Sequence, residues 1–174
     1  MPYAFGHLTI AWLLGKIIEK IKKIKLSRPE WFLLLFGSIF PDTDFLIDWT
    51  LGKHIHRTFT HSFFMIIVGF LIVYLICLIF FKELNRKKFG IYFSIGILTH
   101  LIADMIMGYP GVGLLWPLHY NFWFFGITKT YVSLHAVELT REQLIRNLRI
   151  AIFDMGLGTL WLGYLFFKGK IKEF

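Results

Sequence analysis

The sequence predicts an all-α, polytopic transmembrane helical bundle, and three observations support this fold class. The chain has 174 residues, 56% of them hydrophobic, and a mean hydropathy of +0.62. Soluble proteins average about 45–50% apolar residues even with glycine included. Residues 62–81 carry no charge, and about 20 apolar residues suffice for a helix to cross a bilayer. Lys and Arg cluster beside the apolar segments, as is typical of cytoplasmic loops.

Apolar segments divide the chain, which we interpret as a single membrane-embedded domain over residues 1–174. In order, they cover residues 4–18, 31–49, 62–81, 89–107, 110–127 and 148–167. The first is short for a full crossing, and the second is interrupted at Pro41. Gly and Pro break residues 110–127, which indicates a re-entrant or interfacial segment covered by protein. We therefore expect about four to five spans plus this segment.

The basic residues predict the orientation of the chain rather than a nucleic-acid partner. The formal net charge is +8, but residues 16–28, 82–88 and 168–174 alone hold 6, 4 and 3 of the 19 Lys and Arg residues. Positive residues mark cytoplasmic loops. We expect a multi-pass protein of the cell membrane with a cytoplasmic C-terminus, surrounded by membrane lipids, and no nucleic-acid binding. The oligomeric state stays open.

Ionisable side chains within or beside the apolar segments are the strongest functional signal. An Asp at mid-span costs about 2.5–3.5 kcal/mol on the insertion scale, so such residues need partners. The predicted topology brings these groups into one layer near the outer face. The residues are His7, Asp42, Asp44, His56, His61, His100 and Asp104.

These side chains predict a metal site. His100 and Asp104 are four residues apart and share one helix face, so both can reach one cation. Nitrogen and carboxylate ligands without thiolate suit a divalent transition metal, with Zn²⁺ favoured over Mn²⁺ or Fe²⁺. The single cysteine, Cys77, excludes a cysteine-based zinc site and an intrachain disulfide. Arg57 is predicted to clamp an anion, because guanidinium matches phosphate oxygens.

Two further residues leave alternatives open. Asp154 lies within the last apolar segment and caps a helix, pairs with a basic residue or completes the metal site. His119 lies in the Gly- and Pro-rich segment and is a further possible ligand.

The motifs together resemble the YdjM-like family of inner-membrane proteins, which are described as metal-dependent hydrolases. The resemblance rests on the early His7, FPDTD at 40–44, HRTFTHS at 56–62, THLIADMI at 99–106 and GVGLLWPL at 111–118. It implies a membrane-bound, metal-dependent hydrolase.

A more distant likeness concerns zinc-dependent phospholipase C and the P1-type nucleases, which share the order His, Asp, His, HxxxD. It implies that His7, Asp44 or Asp42, His61, His100 and Asp104 bind metal. It also implies a catalytic role for Asp104, which would bridge two ions. The later acidic motif of those families has no counterpart here.

We therefore expect hydrolysis of a phosphoester, in a phospholipid or another substrate, at the outer membrane face. One alternative is a metal- or proton-coupled transporter that uses the same side chains as a relay. Another is a structural membrane protein whose metal staples helices together.

Overall fold

Helices dominate the fold. The structure is a computed structural model that describes residues 4–52, 56, 58–81, 83–106, 111–124, 126–129 and 141–174. The helices are α1 (Ala4–Lys22), α2 (Arg28–Ile39), α3 (Asp44–Leu51), α4 (Phe63–Phe80), α5 (Arg86–Ile106) and α6 (Arg141–Phe167). Short 3₁₀ turns cover Phe40–Thr43, Phe59–His61 and Lys170–Glu173, and two strands, β1 (Tyr120–Trp123) and β2 (Gly126–Lys129), form an antiparallel hairpin.

Three helical stretches in the described parts of the chain are long and apolar enough to cross a membrane: Phe63–Phe80, Arg86–Ile106 and Asn147–Phe167. Large apolar side chains on α4 and α6 are exposed, as expected where a helix meets lipid. The all-α class is confirmed, but these three stretches do not establish the four to five spans predicted. That larger number stays a prediction.

The predicted second segment, residues 31–49, is not one continuous helix. α2 has 12 residues, which is about 18 Å of helix and too short to cross a bilayer alone. The chain then turns through Phe40–Thr43 and begins α3 at Asp44. Pro41 lies in that turn, where its missing N–H costs no regular helical hydrogen bond.

Two glycines bring α2 and α5 into close contact. A Cβ atom at Gly37 would overlap the Phe93 carbonyl, and one at Gly96 would overlap the Leu34 carbonyl. Small residues allow helix backbones to approach in this way inside membranes. The contact sets the C-terminal end of α2 beside the second half of α5.

The basic ends of the helices gather at one end of the bundle. The Lys88 ammonium on α5 pairs with Glu30 on α2. The Phe174 ring contacts Trp31 on α2 at 5.3 Å between centroids. The three basic segments, residues 16–28, 82–88 and 168–174, therefore meet at one end of the bundle, which we call the basic end. The opposite end holds the N-terminus of α1 and the C-termini of α2 and α5.

Residues 110–127, predicted to be re-entrant or interfacial, form a turn and a hairpin strand where the structure describes them. Val112 bridges to Phe122 of β1, and the Leu114 carbonyl accepts a hydrogen bond from the Phe63 N–H at 3.0 Å. Because Phe63 begins α4, this bond satisfies one of the free N–H groups of that helix end. Leu101, Val112 and Leu114 form a small apolar cluster over the end of the bundle.

Candidate metal centre

Four separate pieces of the chain bring histidines and aspartates together at the end of the bundle opposite the basic end. α1 supplies His7, the turn after α2 supplies Asp42, the turn before α4 supplies His61, and α5 supplies His100 and Asp104. The side chains of His7, His61, His100 and Asp104 are fully buried, whereas that of Asp42 is 23% exposed. The cluster is therefore open to its surroundings mainly on the Asp42 side.

The first set of ligand atoms is built on the nitrogens of His61 and His100, which face a carboxylate oxygen of each aspartate. His61 Nε2 lies 3.1 Å from His100 Nε2. Each of these nitrogens lies 3.5 Å from Asp42 Oδ1 and 3.7 Å from Asp104 Oδ2. Ligands about 2.0–2.2 Å from a tetrahedral zinc ion are separated by roughly 3.3–3.6 Å. The 3.5 Å separations fall in this range and those of 3.1 and 3.7 Å lie just outside it, so each carboxylate can join the two nitrogens around one ion.

A second set uses the other oxygens of the same carboxylates. His7 Nε2 lies 3.6 Å from Asp104 Oδ1 and 3.9 Å from Asp42 Oδ2. The His7 ring stacks on His100 with 3.9 Å between centroids. Both aspartates therefore face His7 with one oxygen and the His61–His100 pair with the other.

The hydrogen bonds of the two central histidines determine which nitrogens carry protons. His100 Nδ1 is 2.8 Å from the Ser38 carbonyl, which only accepts, so Nδ1 donates. Thr60 donates its hydroxyl proton to Asp44, so its oxygen accepts from His61 Nδ1 at 3.0 Å. This assignment leaves a lone pair on both Nε2 atoms of the neutral rings. At 3.1 Å two such lone pairs repel unless a proton or a metal ion lies between them.

Asp44 lies behind the converging atoms rather than among them. Its Oδ1 is 2.7 Å from His56 Nδ1, and its Oδ2 accepts from Thr60 and lies 3.5 Å from His61 Nδ1. A carboxylate on the far nitrogen of a ligating histidine fixes the ring and raises its basicity. The two aspartates of the PDTD motif thus occupy different positions, with Asp42 in the centre and Asp44 supporting His61.

His56 is the least central of the predicted ligands. Its ring stacks on Phe45 with 3.7 Å between centroids, and Asp44 holds its Nδ1. It lies within 4.8 Å of ligand atoms of Asp42 and His61, so it can join a metal set at the edge of the cluster.

Three groups outside the spans have pKa values that reflect this arrangement. Burial works against ionisation of Asp42, but the contact with His61 and the charges of the other imidazoles hold its pKa below 3.8. Burial acts likewise on Asp44, yet hydrogen bonds from His56, His61 and Thr60 hold its pKa far below the usual range. For His61, burial is outweighed by Asp42 and Asp44, which raise its pKa above 6.5. The site thus favours carboxylates around a cation.

The remaining predicted residues lie elsewhere. Asp154 caps α1: its Oδ1 accepts from the Gly6 N–H at 2.7 Å and its Oδ2 from the Phe5 N–H at 3.1 Å. Of the three alternatives for this residue, the cap is the one observed, and it anchors the helix turn that carries His7. His119 is exposed outside the cluster. Arg57 lies outside the described residues.

Sequence reasoning missed Ser38 and Thr60, which orient His100 and His61. Ser38 contributes its backbone carbonyl, which leaves no trace in residue type. Thr60 stands directly before His61, and its hydroxyl bonds to both His61 and Asp44. The available signal was a Thr directly before a His, after the PDTD motif. This signal could be interpreted only once the contact between Thr60 and Asp44 was known.

Comparison with known proteins yields one match. The family model for the YdjM inner membrane protein covers residues 1–171. No curated protein and no solved structure matches the chain. The predicted likeness to phospholipase C and the P1-type nucleases stays a prediction. Because the family model spans nearly the whole sequence, including every residue of the cluster, the chain belongs to the YdjM inner membrane protein family.

Proposed function

We propose that the protein is a membrane-bound, metal-dependent hydrolase that acts on a phosphoester at the end of the bundle opposite the basic end. One observation carries the proposal: His61 Nε2 and His100 Nε2 lie 3.1 Å apart between two carboxylates, while Thr60 and the Ser38 carbonyl hold the other ring nitrogens. Such a group binds a cation strongly. Histidine and carboxylate ligands without thiolate suit Zn²⁺, Mn²⁺ or Fe²⁺.

The two sets of ligand atoms support different roles. His61, His100, Asp42 and Asp104 supply four ligands, which saturate a tetrahedral ion. His7 and the other two carboxylate oxygens supply three, which leaves a coordination position for water or substrate. A divalent ion bound there would supply an activated water and stabilise charge on a phosphoryl group. In this proposal Asp104 is catalytic and, like Asp42, contributes one oxygen to each set.

The surroundings of the cluster indicate where the substrate enters. Among the central ligands the Asp42 side chain is the exposed one, and the neighbouring His56 is 15% exposed. A phosphoester would reach the ligands past these two side chains. Arg57 follows His56 in the sequence, and we propose that it binds the phosphate oxygens of the substrate.

Burial favours a second candidate function, a structural metal. His7, His61 and His100 are completely buried, as expected where an ion only staples helices together. A structural ion is saturated by protein ligands, whereas a catalytic one keeps an exchangeable position. A hydrolase and a protein with a structural metal would therefore differ in catalytic turnover and not in metal content.

The test uses the full chain purified in detergent. Metal is measured by mass spectrometry, and hydrolysis is measured with bis(p-nitrophenyl) phosphate and with phosphatidylglycerol. We expect one to two ions per chain, and activity that is lost with chelator and returns with Zn²⁺ or Mn²⁺. Asp104→Ala should abolish both metal and activity, whereas His119→Ala, at an exposed histidine outside the cluster, should change neither. Tightly bound metal without hydrolysis of either substrate would reject the hydrolase and leave the staple.

A further inference from the structure

A long apolar groove runs along the outside of the bundle between α2, α4 and α5. Its volume is about 510 Å³, within the roughly 300–1,000 Å³ range of small-molecule sites. Phe32, Phe36 and Phe40 line one wall, and Ile72, Ile76 and Cys77 line the other. Every other lining side chain is also apolar. In a membrane protein, such a surface on the outside of the bundle is suited to a hydrocarbon chain.

The length of the groove matches one leaflet of the bilayer. It follows α2 from Pro29 to Phe40, a rise of about 16 Å at 1.5 Å per residue. This is about half of the roughly 30 Å hydrocarbon thickness. The groove therefore has the length of the acyl region of a single leaflet, on the side of the basic end.

Basic residues stand next to groove-lining residues in the sequence where the groove reaches the basic end. Arg28 precedes Pro29, and Arg86 and Lys87 lie between the lining residues Leu84 and Phe89. α2 and α5 both begin here, at Arg28 and Arg86, so two helix N-termini add their positive dipole ends. Of the nearby acids, Glu30 is paired with Lys88, and Glu83 is exposed. Arg28 also lines a second cleft with Glu19, Lys25 and Lys172. Among these described residues the basic side chains outnumber the acidic ones.

We propose that this groove is a binding site for an anionic phospholipid. One acyl chain lies along α2 between the phenylalanines and α4, and the headgroup phosphate lies among Arg28, Arg86 and Lys87. Basic pockets between transmembrane helices bind anionic headgroups in this manner. The site is separate from the metal centre, because its charged end lies at the other end of α5 from His100 and Asp104.

The experiment measures lipids retained by the full-length protein. The protein is reconstituted in vesicles with equal amounts of phosphatidylglycerol and phosphatidylcholine of identical acyl chains. It is then extracted in mild detergent and its intact mass is recorded. We expect about one phosphatidylglycerol per chain, retained at least fivefold over phosphatidylcholine. Retention of no lipid, or of both lipids equally, would overturn the proposal.

Two neighbouring residues of α4 provide a matched pair of variants. Ile76 lines the groove and is 44% exposed, whereas Leu75 is 50% exposed and does not line it. Ile76→Trp should lower the retained phosphatidylglycerol at least fivefold, and Leu75→Trp should leave it unchanged. Equal retention by the two variants would contradict the proposal. A dimer mass that Ile76→Trp converts to monomer would also contradict it, because a second copy of the chain would then occupy the groove.

Surface charge gives an independent test if Ile76→Trp does not fold. Arg28 and Lys87 are exposed, so the double variant Arg28→Gln/Lys87→Gln leaves the packing intact. It should retain lipid but lose most of the preference for phosphatidylglycerol. An unchanged preference would show that the basic end does not hold the headgroup.

Discussion

The two ends of α5 both hold buried carboxylates, but they neutralise them differently. At the basic end Glu30 is 3% exposed. One of its oxygens pairs with the Lys88 ammonium, and the other accepts from the Ser27 N–H at 2.7 Å. The protein supplies both the cation and the hydrogen bond. The negative charge of Glu30 is therefore neutralised without any bound ligand.

At the opposite end Asp42 and Asp104 approach histidines instead. Their ion-pair distances to His7, His61 and His100 range from 3.5 to 3.9 Å. An imidazole is a cation only when protonated, and the Nδ1 hydrogen bonds of His61 and His100 leave their Nε2 atoms toward the carboxylates. A lysine at this place would make an ordinary buried pair. The histidines instead leave room for an exchangeable cation. This room distinguishes a cation-binding site from a structural charge pair.

The largest difference between the two ends should appear in metal content. His100→Ala removes a nitrogen that both carboxylates face, so bound metal should fall at least tenfold. Glu30→Gln removes the buried charge at the basic end and should leave metal content unchanged, while lowering stability. Inductively coupled plasma mass spectrometry of both purified variants checks this. A similar loss of metal from both variants would mean that metal content depends on the general integrity of the bundle and not on the cluster itself.

The orientation of the two ends is the next test. A cysteine at Lys23 or Lys87, at the basic end, should be shielded from an impermeant thiol reagent in intact cells. One at His119 should react several-fold more, because the positive-inside rule places the basic end in the cytoplasm. The native Cys77 is buried and gives a low background. The reverse labelling pattern would place the metal centre on the cytoplasmic side.

The pH dependence should distinguish a proton from a metal as the cation. The pKa of His61 is raised, so in the metal-free protein its proton stabilises the fold at low pH. That stabilisation is lost as pH rises through the raised pKa. Metal requires the neutral ring, so its stabilising effect should grow over the same range. At 100 times Kd, metal adds about 2.7 kcal/mol, or about 5–10 °C in Tm for a chain of this size.

Differential scanning fluorimetry with chelator or Zn²⁺ measures this effect. The difference in Tm should be larger at pH 8 than at pH 6. His100→Ala should lose most of the difference at both pH values, and Glu30→Gln should keep it. A difference that shrinks as pH rises would exclude metal binding at His61.

The sequence was sufficient to predict the five central residues of the cluster, because two independent patterns agreed. Lys and Arg clusters define the direction of each helix, and the histidines and aspartates then fall at one end. The sequence could not distinguish Asp42 from Asp44, since both follow Pro41 and have the same side chain. Their roles depend on the 3₁₀ turn at Phe40–Thr43, which directs one carboxylate into the centre and the other behind it.

The broken second segment was also only partly predictable. Pro41 indicates an interruption but not the kind of turn that follows. The hairpin was not predicted, because β1 falls inside the apolar segment 110–127 and β2 crosses the end of that segment. Periodicity does not separate such short apolar runs from helix. In the structure Val112 pairs with Phe122, and the Phe124 N–H donates to the Met105 carbonyl of α5.

The smallest effect that we predict tests the support of His61 rather than the ligands themselves. The Thr60 hydroxyl donates to Asp44 and accepts from His61 Nδ1. Thr60→Val keeps the shape but removes both bonds, so the ring loses part of its orientation. Loss of such a supporting group typically weakens metal binding about 10–100-fold. We expect about tenfold here, since Asp44 still lies 3.5 Å from His61 Nδ1.

Thr99→Val provides the matched control for this variant. Thr99 is also buried and immediately precedes a ligand, His100, but its hydroxyl donates only to the Gly96 carbonyl of its own helix at 2.7 Å. Competition with a fluorescent chelator measures the Kd of both variants for Zn²⁺. Thr60→Val should weaken binding while saturating metal still fills the site, and Thr99→Val should match the native chain. Equal affinities for all three proteins would show that His61 needs no support from Thr60. The argument that its Nε2 lone pair faces His100 would then lose its basis.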